Sequence, residues 1–355
     1  MQEAKRTQTG PKRHHYVSQF LLRKFSMNPQ DNSPSIHQLN IKSNTFSRPS
    51  ITNCAVIKYY NRLSEASGLP SGHVESLLAD IEGQSAPLIE KLLHGGMLNE
   101  PERITLSTFL VAQQARTPRG REWLRFGQEQ GATLWYLKQI YEDRERSKEY
   151  LRNDLEREPT EIEVDTFIRQ FAELLESGDL AFKASYDQEI LGMFLPMQEL
   201  IPLIYDMNWA LLKAPEGQNF ILSDEPLVLI DVLNPGGIAA WRSSPTVEAT
   251  IPLDPQSCLR LRQPPLSQSS HVITEGEVID INLRTYAWAR EAIFGPTKEL
   301  LESVSSTAGA YPTRIELYRP KPPTIYIFER EDGNDQPSKV KRIPGPSEIK
   351  IRRPR

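Results

Sequence analysis

Two adjacent histidines, His14 and His15, are the residues near the start of the chain that are best suited to acid or base chemistry. Imidazole is the only side chain whose unperturbed pKa allows proton exchange near neutral pH, so either histidine could act as a general base or bind a metal ion. Adjacent side chains point in different directions, which predicts that one histidine faces a site while the other orients it. The opposing interpretation is a histidine that bonds to local backbone and stacks on Tyr16.

Acidic residues occur where they could assist such a histidine. The apolar run FIL is typical of a buried strand and ends at Ser223 and Asp224. A carboxylate at a strand end can face a site, although an Asx turn explains the same pattern. Glu75 and Glu82 are seven residues apart on a predicted helix and therefore lie on nearly the same face. They could share a site or form the solvated stripe of that helix.

Two further segments could bind an anion. Gln113 and Arg116 lie at the end of a predicted helix, where the helix dipole favours a cation and where a guanidinium could hold a phosphate. Asn282 and Arg290 are eight residues apart on the last predicted helix and share a face only loosely. The sequence therefore offers histidine, carboxylate and guanidinium groups from widely separated segments.

The elements that must position these groups follow from periodicity, caps and breaks. Helices are predicted over residues 17–25, 71–97, 99–118, 119–178, 187–205 and 277–293. The third begins after Asn99, and the last has Thr274 and Glu277 as a capping box. Short alternating runs in 27–70 and from residue 207 onward are typical of strands. The histidines then precede the first helix directly.

This order of elements predicts an α+β fold in a single integrated domain over residues 11–330. A helix-rich part, 11–206, packs on a strand-rich part, 207–330, whose sheet is mostly antiparallel and which includes a returning helix. Residues 331–355 contain too few apolar groups to offset the entropy of ordering, so we expect a basic, mobile tail there.

The composition of the 355-residue chain, with 38% hydrophobic and 25% charged residues, is typical of a globular protein. No apolar stretch of about 18 residues could span a bilayer. The start lacks the apolar region of a secretory signal, so a cytoplasmic location is expected. Cys54 and Cys258 are too few for a disulfide framework or a four-thiolate zinc site, and we expect both to be reduced packing residues.

Charge is concentrated at the chain ends. Residues 1–25 contain six lysines and arginines and one acidic residue, and residues 339–355 contain seven and one. Because the net charge is −4, the segment between them is strongly acidic. Basic ends can dock on this acidic body or on a nucleic acid, and the sequence favours neither. Oligomeric state has no signature in the sequence.

Several catalytic signatures are missing. The chain contains no P-loop, GxGxxG, HExxH, paired CxxC or GxSxG motif. This disfavours P-loop hydrolysis of nucleoside triphosphates, Rossmann cofactor chemistry, zincin proteolysis and serine-hydrolase chemistry. No nucleotide cofactor is indicated, and a divalent metal ion stays compatible with the histidines and carboxylates.

The N-terminal motif resembles the hallmark of domain-of-unknown-function family 4238, a mainly bacterial group. That hallmark is a Lys or Arg, two histidines, Tyr-Val-Pro and a Phe-rich helix ending in Arg-x-Phe. Here the motif comprises Lys12, Arg13, His14, His15, Tyr16, Val17, Ser18, Gln19 and Phe20, followed by Leu22-Arg23-Lys24-Phe25. Ser18 stands where the family usually has proline. The similarity continues through VESLLADIE, QQARTP, FILSDEP, IPLDP and INLRTYAWAR, roughly residues 11–295, with Glu225 where the family commonly has asparagine.

The resemblance confers no activity, but it implies that the candidate residues belong to one recurring pattern and could line one cleft. Our central hypothesis is that the paired imidazoles meet Asp224. Catalytic roles are assigned to His14, His15, Asp224, Glu82 and Arg116. Substrate-binding roles are assigned to Arg13, Tyr16, Gln19, Arg23, Glu75, Gln113, Ser223, Asn282 and Arg290.

The favoured function is a hydrolase, with a nuclease acting on RNA or DNA as the best assignment. A histidine would be the general base or a metal ligand, Asp224 and Glu82 its partners, and Arg116 or Arg290 the cation that stabilises phosphate charge. The alternative is a non-catalytic module that binds nucleic acid or protein, in which the polar set forms a buried network. Recognition of a small nucleotide is a third interpretation, and bacterial defence is the context considered for the non-catalytic module.

Overall fold

Helices dominate the first two hundred residues, as the periodicity predicts. The computed structural model describes residues 11–177, 179–231, 246–263, 267–320, 325–329 and 339–343. Its α-helices are α1 (Gln19–Lys24), α2 (His73–Leu93), α3 (Glu100–Ala115), α4 (Pro118–Glu142), α5 (Arg144–Leu155), α6 (Glu161–Ser177), α7 (Tyr186–Leu191), α8 (Met197–Asp206), α9 (Glu275–Trp288), α10 (Lys298–Ala310) and α11 (Pro312–Tyr318). Short 3-10 helices cover Ile51–Asn53, Glu65–Ser67 and Gly192–Phe194. No helix among the described residues is long and apolar enough to cross a membrane.

Strands occur both before and after the helical region, and the fold class is α+β. They are β1 (Arg13–His15), β2 (His37–Asn40), β3 (Thr45–Ser47), β4 (Val56–Lys58), β5 (Asn208–Lys213), β6 (Leu222–Ser223), β7 (Val228–Asp231), β8 (Val247–Asp254), β9 (Ser257–Arg262), β10 (Ser267–Val272), β11 (Ala292–Gly295), β12 (Ile325–Glu329) and β13 (Lys339–Ile343). The larger sheet has the order β10-β5-β9-β8-β7, and all its pairs are antiparallel except β5 with β10.

The second sheet joins distant parts of the chain. Its order is β3-β2-β11-β6, with every pair antiparallel, so the N-terminal strand β2 lies directly beside the C-terminal strand β11. Leu39 of β2 is opposite Ile293 of β11, and both side chains are fully buried. A separate antiparallel pair, β1 with β4, places His14 opposite Ile57.

The core lies on both faces of the five-stranded sheet because β5 is apolar on both sides. Successive side chains of a strand point to opposite faces. Trp209 and Leu211 pack with α1, α2 and α3, which contribute residues such as Phe25 and Phe109. Ala210, on the other face, packs in the cluster that includes α9. The two cysteines are free and buried.

The helix starts agree with the predicted caps. Asn99 and Glu102 form a capping box at the start of α3, and Thr274 and Glu277 form the one predicted at the start of α9. In each box the cap side chain accepts a backbone N–H of the first turn, and the glutamate accepts the N–H of the cap residue.

The predicted end of the last helix is wrong. The helix was expected to run through residue 293, but α9 ends at Trp288 and residues 292–295 form β11. Ala289 already has the extended ψ of 137°. The Asp224 carboxylate accepts the backbone N–H groups of the next three residues, so a distant side chain ends the helix. Arg290 is therefore not on the same helix as Asn282.

Other elements differ from the expected pattern. The two histidines lie in strand β1, and α1 begins four residues after His15. The helix expected over 187–205 is divided at Gly192 and Pro196 into α7, a 3-10 turn and α8. Helices α10 and α11 were not predicted. Within the expected mobile tail, Lys339–Ile343 forms strand β13 with β12, and the rest of that segment lies outside the described residues.

Gly120, at the start of α4, allows close packing against the end of α3. A Cβ atom on Gly120 would lie 2.0 Å from the backbone oxygen of Gln114. We expect Gly120→Ala to lower the free energy of unfolding by about 1–3 kcal/mol, because the backbone of α3 must shift. Gly127 on the same helix has nothing within 4 Å of the corresponding position. Gly127→Ala should therefore stabilise the protein by roughly 0.5–1 kcal/mol. Urea titration of the two variants and the wild type measures both effects. Equal effects at the two positions would contradict this packing.

Candidate functional site

Some of the candidate residues, among them Tyr16, Glu82 and Arg290, contact the α3–α4 turn, defined as residues 113–122. Gln113 and Arg116 lie at the end of α3, and Arg119, Arg121 and Glu122 lie at the start of α4. Their side chains contact the segments around residues 14–18, 60–61, 82, 225 and 288–290. This turn, rather than a direct contact between the histidines and Asp224, connects the predicted residues.

At the end of α3, the buried Arg116 forms an ion pair with the partly exposed Glu82. Its guanidinium is 2.5 Å from the Glu82 carboxylate and donates to Ser18 Oγ and Gln113 Oε1. Ser18 in turn donates its backbone N–H, at 3.1 Å, and its hydroxyl, at 2.9 Å, to Gln113 Oε1. Arg116 is only 2% exposed. The hydroxyl of Ser18, which proline would lack, thus takes part in a network that links α2, α3 and the start of α1.

His14 has both ring nitrogens bonded to backbone. Nδ1 lies 2.7 Å from the backbone nitrogen of Asn61, and Nε2 lies 2.8 Å from the carbonyl oxygen of Pro11. Because a backbone N–H can only donate, Nδ1 is the acceptor and Nε2 carries the proton given to Pro11. The Glu75 carboxylate is 3.5 Å from Nδ1 and accepts from the Asn61 amide. His14 thus fixes the backbone of the Asn61 segment.

This bonding predicts a structural effect for the first histidine. His14→Ala should lower the free energy of unfolding by about 1–3 kcal/mol, because it leaves the buried N–H of Asn61 without a partner. His15→Ala is the matched variant, and it should change that free energy by less than about 1 kcal/mol because the ring is only partly buried and its side-chain partner, Gln19, is exposed. Urea titration at pH 7 measures both. A larger loss for His15→Ala would contradict the assignment.

His15 points away from His14, as expected for neighbouring residues of a strand. Its Nδ1 lies 3.2 Å from Gln19 Nε2. Burial lowers the pKa of His15, while the backbone of Ile51 and Thr52 and the charge of Glu82 oppose the shift. The neutral ring is therefore favoured near pH 7, and it lies on the Glu82 side of the Arg116 network.

The arginines assigned to substrate binding in the N-terminal motif hold loops instead of facing a shared site. Arg13 donates to the Thr52 carbonyl at 2.8 Å and to Asn53 Oδ1 at 2.5 Å. Arg23 donates to the carbonyl oxygens of Pro29 and Asp31, both at 2.9 Å. Each guanidinium thereby ties its segment to a neighbouring loop.

Asp224 is a buried carboxylate held by the main chain. It is 2% exposed, and its oxygens accept the N–H groups of Arg290, Glu291 and Ala292 at 2.8, 2.8 and 3.2 Å. Burial raises the pKa of Asp224, and these three donors oppose that rise. The Ser223 hydroxyl donates to the Glu225 carbonyl at 2.8 Å, which closes the turn after β6.

Glu225 is fully buried, and only one of its oxygens has a strong partner. Oε1 accepts the backbone N–H of Arg119 at 3.1 Å, so the carboxylate caps the first turn of α4. Oε2 has no hydrogen-bond partner among the described residues. The Thr117 hydroxyl is near, but its proton is directed to the Gln114 carbonyl at 3.0 Å. Burial and the nearby Asp224 raise the pKa of Glu225 to about 7, although the Arg119 charge opposes the rise.

Ionisable and aromatic side chains surround this carboxyl group. We call the following set the Glu225 cluster: Tyr16, Arg119, Glu122, Asp224, Glu225 and Arg290. Arg119 donates to the Trp288 carbonyl at 2.6 Å, and Arg290 donates to Glu122 at 2.8 Å. Burial, Asp224 and other nearby acidic groups raise the pKa of Tyr16, so its phenol stays protonated. The cluster therefore combines a proton-exchanging carboxyl group, two guanidiniums and a hydroxyl donor.

The five predicted segments do not form one directly bonded set. Among the described residues, no hydrogen bond or ion pair joins His14 or His15 to Asp224. Arg121 provides an indirect connection: it donates to the Asn61 side chain and lies 3.5 Å over the ring of Tyr60. The ring of Tyr60 is 6.4 Å from that of Tyr16, which belongs to the Glu225 cluster.

Asn282 lies apart from these groups. Its side chain accepts the N–H of Ile221 at 3.0 Å and donates to the carbonyl of Asn219 at 2.8 Å. The oxygen and the nitrogen of the side-chain amide are thus both used to hold the segment that precedes β6. The predicted substrate-binding role of Asn282 has no accessible polar atom to support it, since the residue is 5% exposed.

Sequence reasoning missed Arg119, Arg121 and Asn61 and noted Glu225 only as a departure from the family pattern. A usable signal was present in TPRGRE. Thr117 and Pro118 mark the start of a helix, where the macrodipole disfavours cations. Arginines in that first turn therefore need nearby anionic or carbonyl partners, and a buried glutamate is one of them.

The described residues contain no group of three or more His, Cys, Asp and Glu side chains arranged to hold a metal ion. The Glu225 cluster has two adjacent carboxyl groups, but Asp224 directs its oxygens to the backbone. The chemistry available here is proton transfer and anion binding by side chains.

Comparison with known proteins gave one match. The model of a family described as a protein of unknown function (DUF4238) matches residues 13–299. That range contains every residue of the Glu225 cluster and of the Arg116 network. No curated protein and no solved structure matches the chain.

Proposed function

Because this chain belongs to the DUF4238 family, whose description names no activity, we propose its function from the site itself: a hydrolase that cleaves phosphodiester bonds in RNA or DNA. Glu225 carries this proposal. It is a fully buried carboxyl group with a pKa of about 7, and it lies beside the Arg119 guanidinium. A group with such a pKa exchanges protons at neutral pH, as a general acid or base must.

The surrounding groups match the needs of phosphate chemistry. Arg290 is 39% exposed and Arg119 partly so, and guanidiniums bind the paired oxygens of a phosphate and stabilise charge that develops on it. The protonated phenol of Tyr16 supplies a further donor. In the proposed step, Glu225 accepts a proton from the attacking water as the new P–O bond forms. The ester P–O bond then breaks, and the proton passes to the leaving oxygen.

Access to Glu225 requires a side-chain movement. The carboxyl group is closed to solvent, whereas Tyr16, Arg119 and Arg290 of the same cluster are partly exposed. The hydrogen bond from Arg119 to the Trp288 carbonyl keeps that guanidinium in its closed position. A phosphate that binds Arg119 would draw it away from this carbonyl and open the path to Glu225.

The predicted catalytic residues take different roles in this proposal. His14 and Asp224 bond to backbone and act as positioning residues, as does Arg116 through the α3–α4 turn. Glu82 pairs with Arg116, and the charge of Glu82 acts on His15, so both residues are expected to tune the position of Arg116. The basic segments 1–25 and 339–355 would hold a polyanion, which makes binding weaken as salt increases.

The test is incubation of the full chain with labelled single- and double-stranded RNA and DNA, with and without chelator. Glu225→Gln should lower the cleavage rate by about 100-fold or more, because the general base is lost. Arg290→Gln should lower it by roughly 10-fold or more through weaker phosphate binding. Arg152→Gln, on the surface of α5, is the matched control and should cleave at the wild-type rate.

Two outcomes would overturn the hydrolase. One is an absence of cleavage of every substrate by the wild-type protein. The other is a Glu225→Gln variant that retains the wild-type rate while its circular dichroism spectrum is unchanged. Loss of cleavage by the wild type on chelation alone would add a metal ion to the mechanism without removing Glu225 from it.

A second candidate function is a non-catalytic module that binds nucleic acid. The saturated bonding of His14, Asp224 and Asn282 to backbone favours it, because such groups fix a fold and leave no atom for a substrate. Binding of labelled RNA or DNA without turnover, retained in Glu225→Gln, would support this module over the hydrolase.

A further inference from the structure

A separate cavity of about 480 Å³ lies between α4, α5 and α6, away from the Glu225 cluster. This volume falls within the range of small-molecule sites in proteins. Among the described residues, its lining consists of Tyr136, Gln139, Arg146, Ser147, Tyr150, Leu151, Asp154, Phe167 and Phe171. Four of these nine residues are aromatic and Leu151 is aliphatic, so the larger part of the lining suits a planar apolar group.

Helical spacing explains why these side chains share one space. Phe167 and Phe171 are four residues apart on α6, and their ring centroids are 5.8 Å apart. Tyr136 and Gln139 are three apart on α4, and the Tyr136 ring is stacked on Phe182 at 4.4 Å. Each helix therefore turns one face to the cavity, and the stacking fixes one aromatic wall.

Arg146 is unusual among the cations of this region. Its neighbours are paired: Arg144 with Glu161 and Asp165, and Arg152 with Glu158. Arg146 has no carboxylate within ion-pair distance among the described residues. It donates to the side-chain oxygen Oε1 of Gln139 at 3.1 Å, and its guanidinium lies 5.5 Å from the ring centroid of Trp135. A partly buried guanidinium without an anion, in a segment rich in carboxylates, is a binding group for an anionic ligand.

The charge of the ligand follows from the charged residues of α5 that line the cavity, Arg146 and Asp154. Asp154 is eight residues after Arg146 on α5, about 12 Å along the helix axis, and it also lines the cavity. One guanidinium balances a single negative charge, whereas the second charge of a dianion would have no cation to pair with among the lining residues. A monoanionic carboxylate fits better than a phosphate monoester.

We propose that this cavity binds a small planar aromatic carboxylate. The ring lies against Phe167, Phe171 and Tyr136, and the carboxylate accepts two hydrogen bonds from Arg146. The proposal does not depend on the hydrolase, since none of these residues belongs to the Glu225 cluster.

The experiment uses the full chain and three probes that share one ring system: 2-naphthoate, neutral 2-naphthol and dianionic 2-naphthyl phosphate. Calorimetric titration should show that 2-naphthoate binds about 10-fold or more tightly than either of the others, because only it matches the charge of Arg146. Arg146→Gln should weaken 2-naphthoate binding by about 10-fold or more and leave 2-naphthol within about twofold. Arg152→Gln, six residues away on the same helix, should bind all three probes as the wild type does.

Phe171→Leu provides a second variant that preserves an apolar residue on α6. It should weaken 2-naphthoate and 2-naphthol binding alike, because both lose the same ring contact. The proposal is overturned if 2-naphthoate does not bind, if it binds no better than 2-naphthol, or if Arg146→Gln leaves its affinity unchanged. Tighter binding of 2-naphthyl phosphate would also overturn the assignment to a carboxylate.

Discussion

Replacing Arg116 with methionine should lower the free energy of unfolding by about 2–4 kcal/mol, because it removes a buried guanidinium and leaves the partly exposed Glu82 carboxylate unpaired. Ser18 and Gln113 would lose their shared donor at the same time. Guanidinium chloride titration, monitored by circular dichroism, measures the change. This is the largest stability effect that we expect from one side chain.

The matched control for Arg116 is an arginine whose ion pairs are at the surface. Arg144 contacts Glu161 and Asp165, and its side chain is 41% exposed. Arg144→Met should change the free energy of unfolding by less than about 1 kcal/mol, because exposed pairs are screened by water. Similar losses in the two variants would show that the buried network around Arg116 has no special role.

Glu225→Gln should stabilise the protein, and the gain should increase with pH. The folded protein holds this carboxyl group with a pKa raised from 4.5 to about 7. Between those values the unfolded chain releases the proton and the folded protein retains it, so ionisation favours unfolding as pH rises. Below pH 4.5 both states are protonated, and above pH 7 the penalty no longer grows.

The size of this effect follows from the shift. Glutamine carries no charge, and the advantage of Glu225→Gln should therefore rise by roughly 2–3 kcal/mol between pH 5 and pH 8.5. Urea titrations of both proteins at the two pH values measure it. Glu291→Gln removes a carboxylate that is 55% exposed in the same region. That control should stay within about 0.5 kcal/mol of the wild type at both pH values.

An outcome against this prediction is easily recognised. If Glu225→Gln gains no stability between pH 5 and pH 8.5, the carboxyl group is already ionised in the folded protein at pH 5. Arg119 would then dominate over burial, and Glu225 would be a structural ion-pair partner. The general-base role proposed above would lose its physical basis.

Helix starts were predictable because their chemistry is local. A cap such as Asn99 or Thr274 acts on N–H groups within three residues, so the sequence contains the whole interaction. The end of α9 was not predictable in this way. It depends on the Asp224 carboxylate, which comes from a strand more than sixty positions earlier. Periodicity alone extended the helix into residues that belong to β11.

In the candidate site, too, some residues could be predicted from the sequence, whereas their partners could not. The N-terminal motif, Glu82, Arg116 and Asp224 were identified from residue type and family pattern, and the turn that joins them includes the predicted Gln113. Their partners could not be identified. Whether a histidine nitrogen meets a substrate or a backbone N–H depends on chain geometry, and for His14 it is the N–H of Asn61.

The pairing of β2 with β11 has a consequence for biosynthesis. While the ribosome is still making the middle of the chain, β2 has only β3 beside it, and one row of its main-chain hydrogen-bonding groups is unpaired. That row is completed only when residues 292–295 emerge. Nascent chains of this protein therefore carry an open strand edge for most of translation, and such an edge can pair with another chain.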